Sequence, residues 1–587
     1  MDSPAERAAR WGIEPEYVDA FGQRQVLAPA ALERILAVLD QAGIASPATP
    51  FTVVPGRTYQ GDDPAARMWA LAVQLYGVRS HRNWGHGDFT DLAALVELAA
   101  DLGAAGIGLN PLHALFDDRP EHAGPYAPNS RLFLNALYID VDAIAEFPGL
   151  DEAGMTKVAR LRATAQVDYL GVAEAKLAGL RLAYRRFCAD ASAERRRDFD
   201  CFKNEQGPAL ARFASFEVLR RRFPQAWWDW PDEWRAPTDA GLAALRATDG
   251  EAIGFCEFVQ WVADRQLAAC QAKARARALP IGLYADVAVG VDAAGADAWS
   301  EQGAILHGLS AGAPPDVFNP AGQNWGIAAF HPRGLSAHAF APFRRTIAAA
   351  MRHAGAIRID HVLGLNRLFL IPHGAPARDG AYFRFPLEAL LAVVAQESVA
   401  HRCIVIGEDL GTVPEELRGK LADWGLWSYR VLIFERSADG GFIAPELYPR
   451  DALATFSTHD LPTYQGWVTG HDLKIRREIG HPSGETVDQR EQALAALEAA
   501  LARSGCGSGF AGVARYLAAT PSRLVVVSIE DALGIADQPN LPGTIDEHPN
   551  WRRRLPLALE DWAGHAQVRT LARVFEESGR RLRRPSV

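Results

Sequence analysis

The sequence predicts an α/β fold: a (β/α)8 barrel of the TIM type with inserted, mainly helical subdomains and a small N-terminal helical appendage. Three observations predict it. Eight short apolar segments recur along the chain, most are followed by a helical pattern, and several end in a polar or charged residue. Apolar strands that alternate with helices are typical of a parallel sheet covered on both faces, and eight such units favour closure into a barrel.

The N-terminal part of the chain precedes the first of these segments. The run WGIEPEYVDAFG and the leucine-periodic run LAPAALERILAVL predict helical structure there, and the run PGRTYQGDDP, which contains Pro and Gly, closes the segment. We therefore expect residues 1–64 to form the helical appendage and residues 65–587 to form the barrel. The sequence does not indicate what the appendage does.

The eight predicted strands follow in order along the remainder of the chain. They are MWALAVQLYGV (68–78), GIGLNPL (106–112), IGLYADVAVG (281–290), AIRIDHV (356–362), CIVIGEDL (403–410), SYRVLIFE (428–435), ATFSTHD (454–460) and RLVVVSIEDAL (523–533). Helical patterns after the strands include DLAALVELAADLG at 91–103 and LEALLAVVAQESVAHR at 387–402.

A long segment separates the second predicted strand from the third. It spans about 170 residues of mostly helical pattern, which is too long for a connecting loop. We expect an inserted, largely helical subdomain over residues 140–275. The Trp-rich stretch WWDWPDEW at 227–234 belongs to it and has two interpretations, a packing cluster with a Pro turn or a sugar-stacking platform, of which we favour packing.

Composition excludes several classes of function. Of the 587 residues, 49% are hydrophobic and 22% are charged, which is ordinary for a globular protein, and the net charge of -10 argues against nucleic acid or an anionic membrane as a partner. The six cysteines form no CxxC pair, and the start of the chain shows no signal-type segment, so we expect a cytoplasmic protein. No apolar run approaches the roughly 20 residues of a membrane span.

Carboxylates stand at or near the ends of four predicted strands: Asp286, Asp360, Glu408 and Asp460. In a (β/α)8 barrel the carboxyl ends of the strands form the active-site face, so these four groups are expected to converge there. A single Asp in such a place is more often a helix N-cap or a solvated loop residue. Several together at the ends of apolar strands favour a catalytic site.

Converging carboxylates suit the chemistry of glycoside bonds. Retaining catalysis needs an ionised nucleophile and a protonated acid about 5 to 5.5 Å apart. Asp360 suits the nucleophile, because Arg358 lies two residues earlier on the same strand face and holds it anionic by pairing. Glu408 suits the acid/base, because an apolar strand behind it and anions in front of it both raise its pKa.

Asp460 and His459 have a supporting role in this interpretation. Asp460 would bind sugar hydroxyls more tightly as charge develops on the ring, and His459 would donate a hydrogen bond to the same sugar. A core histidine bonded to backbone is the alternative for His459. A metal site built from Asp360, His361, His459 and Asp460 is a rival explanation. We rank it lower, because zinc hydrolases of this fold use closely spaced histidines such as HxH, which the sequence lacks.

At these residues the sequence resembles the 4-α-glucanotransferases called amylomaltases, glycoside hydrolase family 77 of the α-amylase clan. The resemblance extends from about residue 65 onward, in the order of the family's motifs. They are NWGHGDF (83–89), GAPPDVFNPAGQNWG (312–326), RIDH (358–361), GEDLGTVP (407–414), THDLPT (458–463) and NLPGTIDEHPNWRRRLPL (540–557). In the third strand, LYADVAVGV stands where many relatives have GDxPIYV.

The resemblance implies that Asp360 is the nucleophile, Glu408 the acid/base and Asp460 the transition-state stabiliser. It also implies substrate contacts from a wider set of residues: Tyr126, Asp286, Asp316, Gln323, Trp325, Arg358, His459 and Asn540. The implied substrates are a maltooligosaccharide or α-1,4-glucan donor and an acceptor sugar, with no metal or organic cofactor. The alternatives are an α-amylase-like retaining hydrolase and, from another class, a catalytically inactive glucan-binding module.

Overall fold

The computed structural model describes residues 3–18, 22–41, 51–315, 321–411, 413–481 and 484–580. At its centre, eight parallel strands close into a barrel in sequence order. They are β1 (Met68–Val73), β2 (Gly106–Leu109), β3 (Gly282–Val287), β4 (Ala356–Ile359), β5 (Ile404–Gly407), β6 (Trp427–Val431), β7 (Ala452–Thr455) and β8 (Leu524–Ser528). Each overlaps one of the eight predicted segments, so the predicted (β/α)8 barrel is confirmed.

Alternation along each strand separates the barrel interior from the outer layer. On β4, Ile357 and Ile359 pack outward against the helix Leu387–His401, whereas Ala356 packs inside the barrel with residues of β1, β5, β6 and β8. Arg358 also points inward, beside Asp286 of β3. The period of two thus places an arginine and a carboxylate at the inner mouth of the barrel.

The outer helices begin and end at residues typical of helix termini. At the start of the helix Phe89–Leu102, the Asp88 carboxylate accepts hydrogen bonds from the backbone N–H groups of Thr90 and Asp91, and the Asp91 carboxylate accepts one from the N–H of Asp88. Gly103, at φ 76°, ends the helix. The other outer helices include Ala341–Met351, Leu387–His401, Glu415–Asp423, Gly509–Ala519 and Ala566–Glu577.

Long helices occupy most of the segment between β2 and β3. They are Glu152–Ala163, Tyr169–Asp190, Ala193–Arg222 and Asp239–Ala276, which pack around an aromatic group that includes Phe187, Phe199, Phe258 and Trp261. The last of them also packs on β3 and on Phe89–Leu102, so the segment shares a core with the barrel. The domain division at 140–275 stays a prediction.

A second sheet of six antiparallel strands lies beside the barrel. Its strand order is Ile13–Glu14, Ala381–Arg384, Arg367–Pro372, Leu309–Ala313, Gln323–Ala328, Val291–Asp292. The N-terminal helices Pro4–Trp11 and Pro29–Gln41 share a core with this sheet, and a hairpin (Glu16–Val18 with Arg24–Val26) lies between them in the sequence. No helix of the described ranges has the length and apolar character needed to cross a membrane.

Candidate active site

The carboxyl ends of four barrel strands bring the predicted acids to one mouth. Asp286 is the second-to-last residue of β3, Asp360 directly follows β4, and Glu408 directly follows β5. Asp460 lies five residues beyond Thr455, the last residue of β7, because that strand ends earlier than the sequence predicts. The loop Phe456–His459 therefore carries Asp460 back over the barrel.

Arg358 connects three of these carboxylates. Its Nη1 donates to both oxygens of Asp286 at 2.9 Å, and its Nη2 lies 2.8 Å from Asp360 Oδ1 and 3.9 Å from Glu408 Oε2. The guanidinium also lies over the ring of Tyr429, 5.6 Å from its centroid. The predicted pairing of Arg358 with Asp360 is present, and Asp286 shares the same cation.

The shared nitrogen limits the separation of Asp360 and Glu408. Since Asp360 Oδ1 and Glu408 Oε2 lie 2.8 Å and 3.9 Å from Arg358 Nη2, the sum of these distances, about 6.7 Å, is the largest gap between the two oxygens. Retaining glycosidases hold their carboxyl groups about 5 to 5.5 Å apart, and inverting enzymes about 6.5 to 9.5 Å apart. The largest possible gap between the two oxygens, about 6.7 Å, therefore lies above the separation typical of retaining enzymes and at the lower end of the range for inverting enzymes.

Glu408 is held by backbone groups on both sides. Its Oε2 accepts from the N–H of His361 at 2.9 Å, and its Oε1 accepts from the N–H of Leu410 at 2.8 Å. His361 adopts a left-handed conformation, φ 45° and ψ 60°, which costs about 1 kcal/mol or more for a residue with a side chain. Burial raises the pKa of Glu408 despite Arg358 and these N–H donors, as predicted for an acid/base.

Asp360 has a raised pKa as well, which differs from the expectation that Arg358 dominates. Burial raises the pKa of Asp360 to about 6; the Arg358 guanidinium opposes this shift, and the charges of Asp286 and Glu408 add to it. Above about pH 6 the carboxylate is ionised, so at neutral pH it has the charge state that a nucleophile needs.

Asp460 contacts both His459 and Asn540. Its Oδ2 lies 3.4 Å from His459 Nε2, and its Oδ1 accepts from Asn540 Nδ2 at 2.6 Å. Burial acts to raise the pKa of Asp460, but the charge and hydrogen bond of His459 and the amide of Asn540 together lower it. Burial likewise acts to lower the pKa of His459, and Asp460 reverses the direction, so that this pKa is raised.

Tyr126 joins the two halves of the site. Its hydroxyl donates to Asp286 Oδ2 at 2.6 Å, and its ring stacks on His459 with centroids 5.0 Å apart and planes 21° apart. Trp551 packs against both rings, 5.8 Å from Tyr126 and 5.4 Å from His459. An aromatic floor thus lies beside the carboxylates.

The strand Gln323–Ala328, called the rim strand below, carries two further predicted residues. Trp325 Nε1 donates to Gln323 Oε1 at 3.2 Å, and the Trp325 ring contacts His361 edge-on, with centroids 5.2 Å apart. Trp325 also packs on the core shared by the N-terminal helices and the second sheet. Asp316 lies outside the described residues.

Three further residues lie at this mouth that were not predicted from the sequence. Asn110, just past β2, donates to the Tyr126 hydroxyl at 3.3 Å, and its position at a strand end gave a usable signal. Trp551 lies in the motif NWRRRLPL, which does not distinguish it. Glu530, just past β8, lines the same cavity as Asp286, Arg358 and His459, and burial raises its pKa to about 7.

A family comparison identifies the chemistry. A family model for 4-alpha-glucanotransferase, glycoside hydrolase family 77, matches residues 73–559. The chain belongs to this family. It is an enzyme of the 4-alpha-glucanotransferase class, and the sequence-based prediction of that class is confirmed.

Individual relatives agree with this assignment. The 4-alpha-glucanotransferase of Mycobacterium tuberculosis (strain ATCC 25618 / H37Rv) is 38% identical over 543 residues, which cover 86% of this chain and 74% of the relative. That of Haemophilus influenzae is 38% identical over 84% of this chain and 76% of the relative.

Solved structures agree with the fold. The amylomaltase from Corynebacterium glutamicum has a TM-score of 0.84 at 25% identity, covering 97% of this chain and 99% of that one. The amylomaltase from Streptococcus agalactiae in complex with acarbose has a TM-score of 0.73 at 21% identity, covering 88% and 100%, and shows the fold alone.

The rival metal interpretation finds no support in the enzyme's geometry. Within the described ranges, no group of three or more His, Cys, Asp or Glu side chains is placed to hold a metal ion. Asp360 and Asp286 instead pair with Arg358, and Asp460 pairs with His459 and Asn540.

Proposed function

We propose that the enzyme transfers α-1,4-glucan segments between maltooligosaccharides by a retaining double displacement. In the first step, an Asp360 oxygen attacks the anomeric carbon of the donor glucose, and the bond from that carbon to the leaving 4-oxygen breaks. Glu408 gives its proton to this oxygen. The products are a covalent glucosyl–Asp360 ester and a shortened glucan.

In the second step, the 4-hydroxyl of an acceptor sugar attacks the same carbon. Glu408, now ionised, takes the hydroxyl proton, and the bond to Asp360 breaks. Two inversions at one carbon give net retention. The raised pKa of Glu408 supports this exchange, because an acid that titrates closer to neutral pH can give and take the same proton.

The observation that carries the proposal is the sharing of Arg358 Nη2 by Asp360 and Glu408, which keeps their oxygens within reach of one anomeric carbon. Asp460, with its lowered pKa, is placed to bind sugar hydroxyls as positive charge develops on the ring. Asp286 and Arg358 would position Asp360. Tyr126 and His459 would contact the reacting glucose, and Asn540 would orient Asp460.

Transfer exceeds hydrolysis only if water is kept from the intermediate. Gln323 and Trp325 on the rim strand are our candidates for a lid over the intermediate. The edge contact of Trp325 with His361 supports this role, because the N–H of His361 also holds Glu408.

The family and the net charge support a substrate class. We infer that donor and acceptor are both maltooligosaccharides or α-1,4-glucans, that neither nucleic acid nor a membrane is a partner, and that the enzyme acts in the cytoplasm. The net charge of -10 supports a neutral ligand over a polyanion.

Incubation with maltotriose tests the proposal. A transferase yields glucose and a series of longer oligosaccharides, whereas an α-amylase-like hydrolase yields nothing longer than the substrate. A catalytically inactive binding module would leave maltotriose unchanged. Glu408→Gln should reduce transfer by several orders of magnitude, because acid/base catalysis contributes about 10²- to 10⁴-fold and acts in both steps.

A further inference from the structure

The Trp-rich stretch at 227–234 divides into buried and exposed rings. Trp227 and Trp230 are buried, as the packing interpretation predicts, and Trp234 is partly buried. Trp228 is 44% exposed. All 15 tryptophans of the chain lie in the described residues, and Trp228 is the one among them with an exposed side chain. An indole exposed to this extent keeps part of its apolar face in contact with water.

The exposed ring is held on a rigid base. Trp228 lies in the 3-10 helix Trp227–Asp229, and its ring meets that of Trp227 at 75°, with centroids 5.5 Å apart. Trp227 is fixed in turn, because its Nε1 donates to the carbonyl of Ala293 at 2.9 Å and its ring packs against His307. A ligand that stacks on Trp228 therefore meets a platform whose orientation is already set.

This base rests on loops of the active-site face. Ala293 lies just beyond β3 and the short strand Val291–Asp292, which pairs with the rim strand through Asp292 and Ile327. The N–H of Asp292 donates to the carbonyl of Pro128, in the loop that carries Tyr126. The same side of the barrel thus carries Trp228 and the mouth of the active site.

The exposed residues that neighbour Trp228 in the sequence suit a sugar. Asp229 and Glu233 are exposed on the same short segment, and carboxylates accept hydrogen bonds from sugar hydroxyls while an indole face covers the C–H face of a glucose. The two carboxylates and the net charge disfavour an anionic ligand. We propose that Trp228 belongs to a second α-1,4-glucan-binding site, outside the catalytic mouth, that retains long chains. This inference rests on the proposed glucan-transfer function.

Trp228→Ala tests it by separating long substrates from short ones. Native electrophoresis in the cold through gels with graded amylose gives a Kd for the long glucan. We expect Trp228→Ala to weaken this Kd about tenfold, equivalent to about 1.4 kcal/mol, and to leave kcat/KM for maltotriose within about twofold of wild type. Trp228→Phe should keep most of the affinity.

Leu182→Ala is the matched control, because Leu182 is an exposed apolar residue of the helix Tyr169–Asp190, 42% exposed, and its loss should not affect either measurement. Unchanged amylose binding by Trp228→Ala, or equal loss on amylose and maltotriose, would overturn the second site. Absence of maltotriose transfer in the wild type would instead overturn the proposed function, while the amylose Kd values would still decide the role of Trp228.

Discussion

Arg358 Nη2 lies 2.8 Å from Asp360 Oδ1 at the mouth of the barrel. Arg358 is itself buried and serves Asp286 with its other terminal nitrogen, so it is a shared cation and not a private partner of Asp360. Burial, rather than the ion pair with Arg358, sets the direction of the Asp360 pKa shift, and the nearby charges of Asp286 and Glu408 act in the same direction.

The acid limb of the pH–activity profile should report the pKa of Asp360. With the pKa of Asp360 at about 6, kcat/KM for maltotriose should fall as the pH drops below about 6, because protonation removes the nucleophile. Arg358→Lys, which cannot hold both Asp286 and Asp360 in the same way, should move this limb to higher pH by about one unit. The control is Arg430→Lys, which alters the ion pair between Arg430 of β6 and Glu435 and should leave the acid limb at the same pH.

Tyr126 offers two separable contributions. Tyr126→Phe removes the hydroxyl that donates to Asp286 but keeps the ring stacked on His459, so we expect kcat/KM to fall about tenfold, the value of one hydrogen bond. Tyr126→Ala removes the ring as well and should cost at least a further tenfold. Equal effects of both variants on steady-state maltotriose kinetics would show that the ring does not contact the sugar.

Trp325 tests the lid. In Trp325→Ala we expect the share of hydrolysis to rise several-fold relative to transfer, measured as new reducing ends per oligosaccharide formed, because water gains access to the intermediate. Trp325→Phe should restore much of the ratio. If the ratio in Trp325→Ala equals that of the wild type while total turnover falls, Trp325 has a packing role only.

The buried carboxyl group of Glu530 should make the stability of the enzyme depend on pH. Burial raises its pKa from 4.5 to about 7 in the folded state, so the folded enzyme holds a proton that the unfolded chain has released. Stability is therefore lost as the pH rises from about 4.5 through about 7, by about 3 kcal/mol for this group. In urea titrations at pH 5 and pH 8, Glu530→Gln should reduce the loss between the two values by about that amount. Glu498→Gln, at an exposed position, is the control. If Glu530→Gln loses as much stability between pH 5 and pH 8 as the wild type does, the raised pKa of Glu530 is contradicted.

Much of the fold and half of the site are predictable from sequence, because strand periodicity is a local property. The alternation in β4 places Arg358 and Asp360 correctly, and the apolar segments place Asp286 and Glu408 at strand ends. Long-range contacts carry no such signal. The strand β7 ends before Asp460, and only the tertiary structure shows that Asn540, 80 residues later, donates to that carboxylate.

The second sheet shows the same limit. Its six strands come from residues 13–14, 291–328 and 367–384, and Ile13 pairs with Phe383 across most of the sequence. Two- to six-residue strands of this kind lack a repeating pattern that a sequence can reveal. Helical periodicity therefore predicts the helix Pro29–Gln41 but not its attachment beside the rim strand. The helical prediction for WGIEPEYVDAFG is wrong, because this run contains the short strands Ile13–Glu14 and Glu16–Val18.

Trapping of the glycosyl-enzyme tests the central claim most directly. Glu408→Gln should react with an α-maltosyl fluoride donor, because fluoride leaves without a proton, but should release the sugar slowly without its base. Peptide mass spectrometry should then find one maltosyl unit on Asp360. Attachment of the sugar to any other residue, or turnover of the fluoride to a β-configured product with no adduct, would contradict the account.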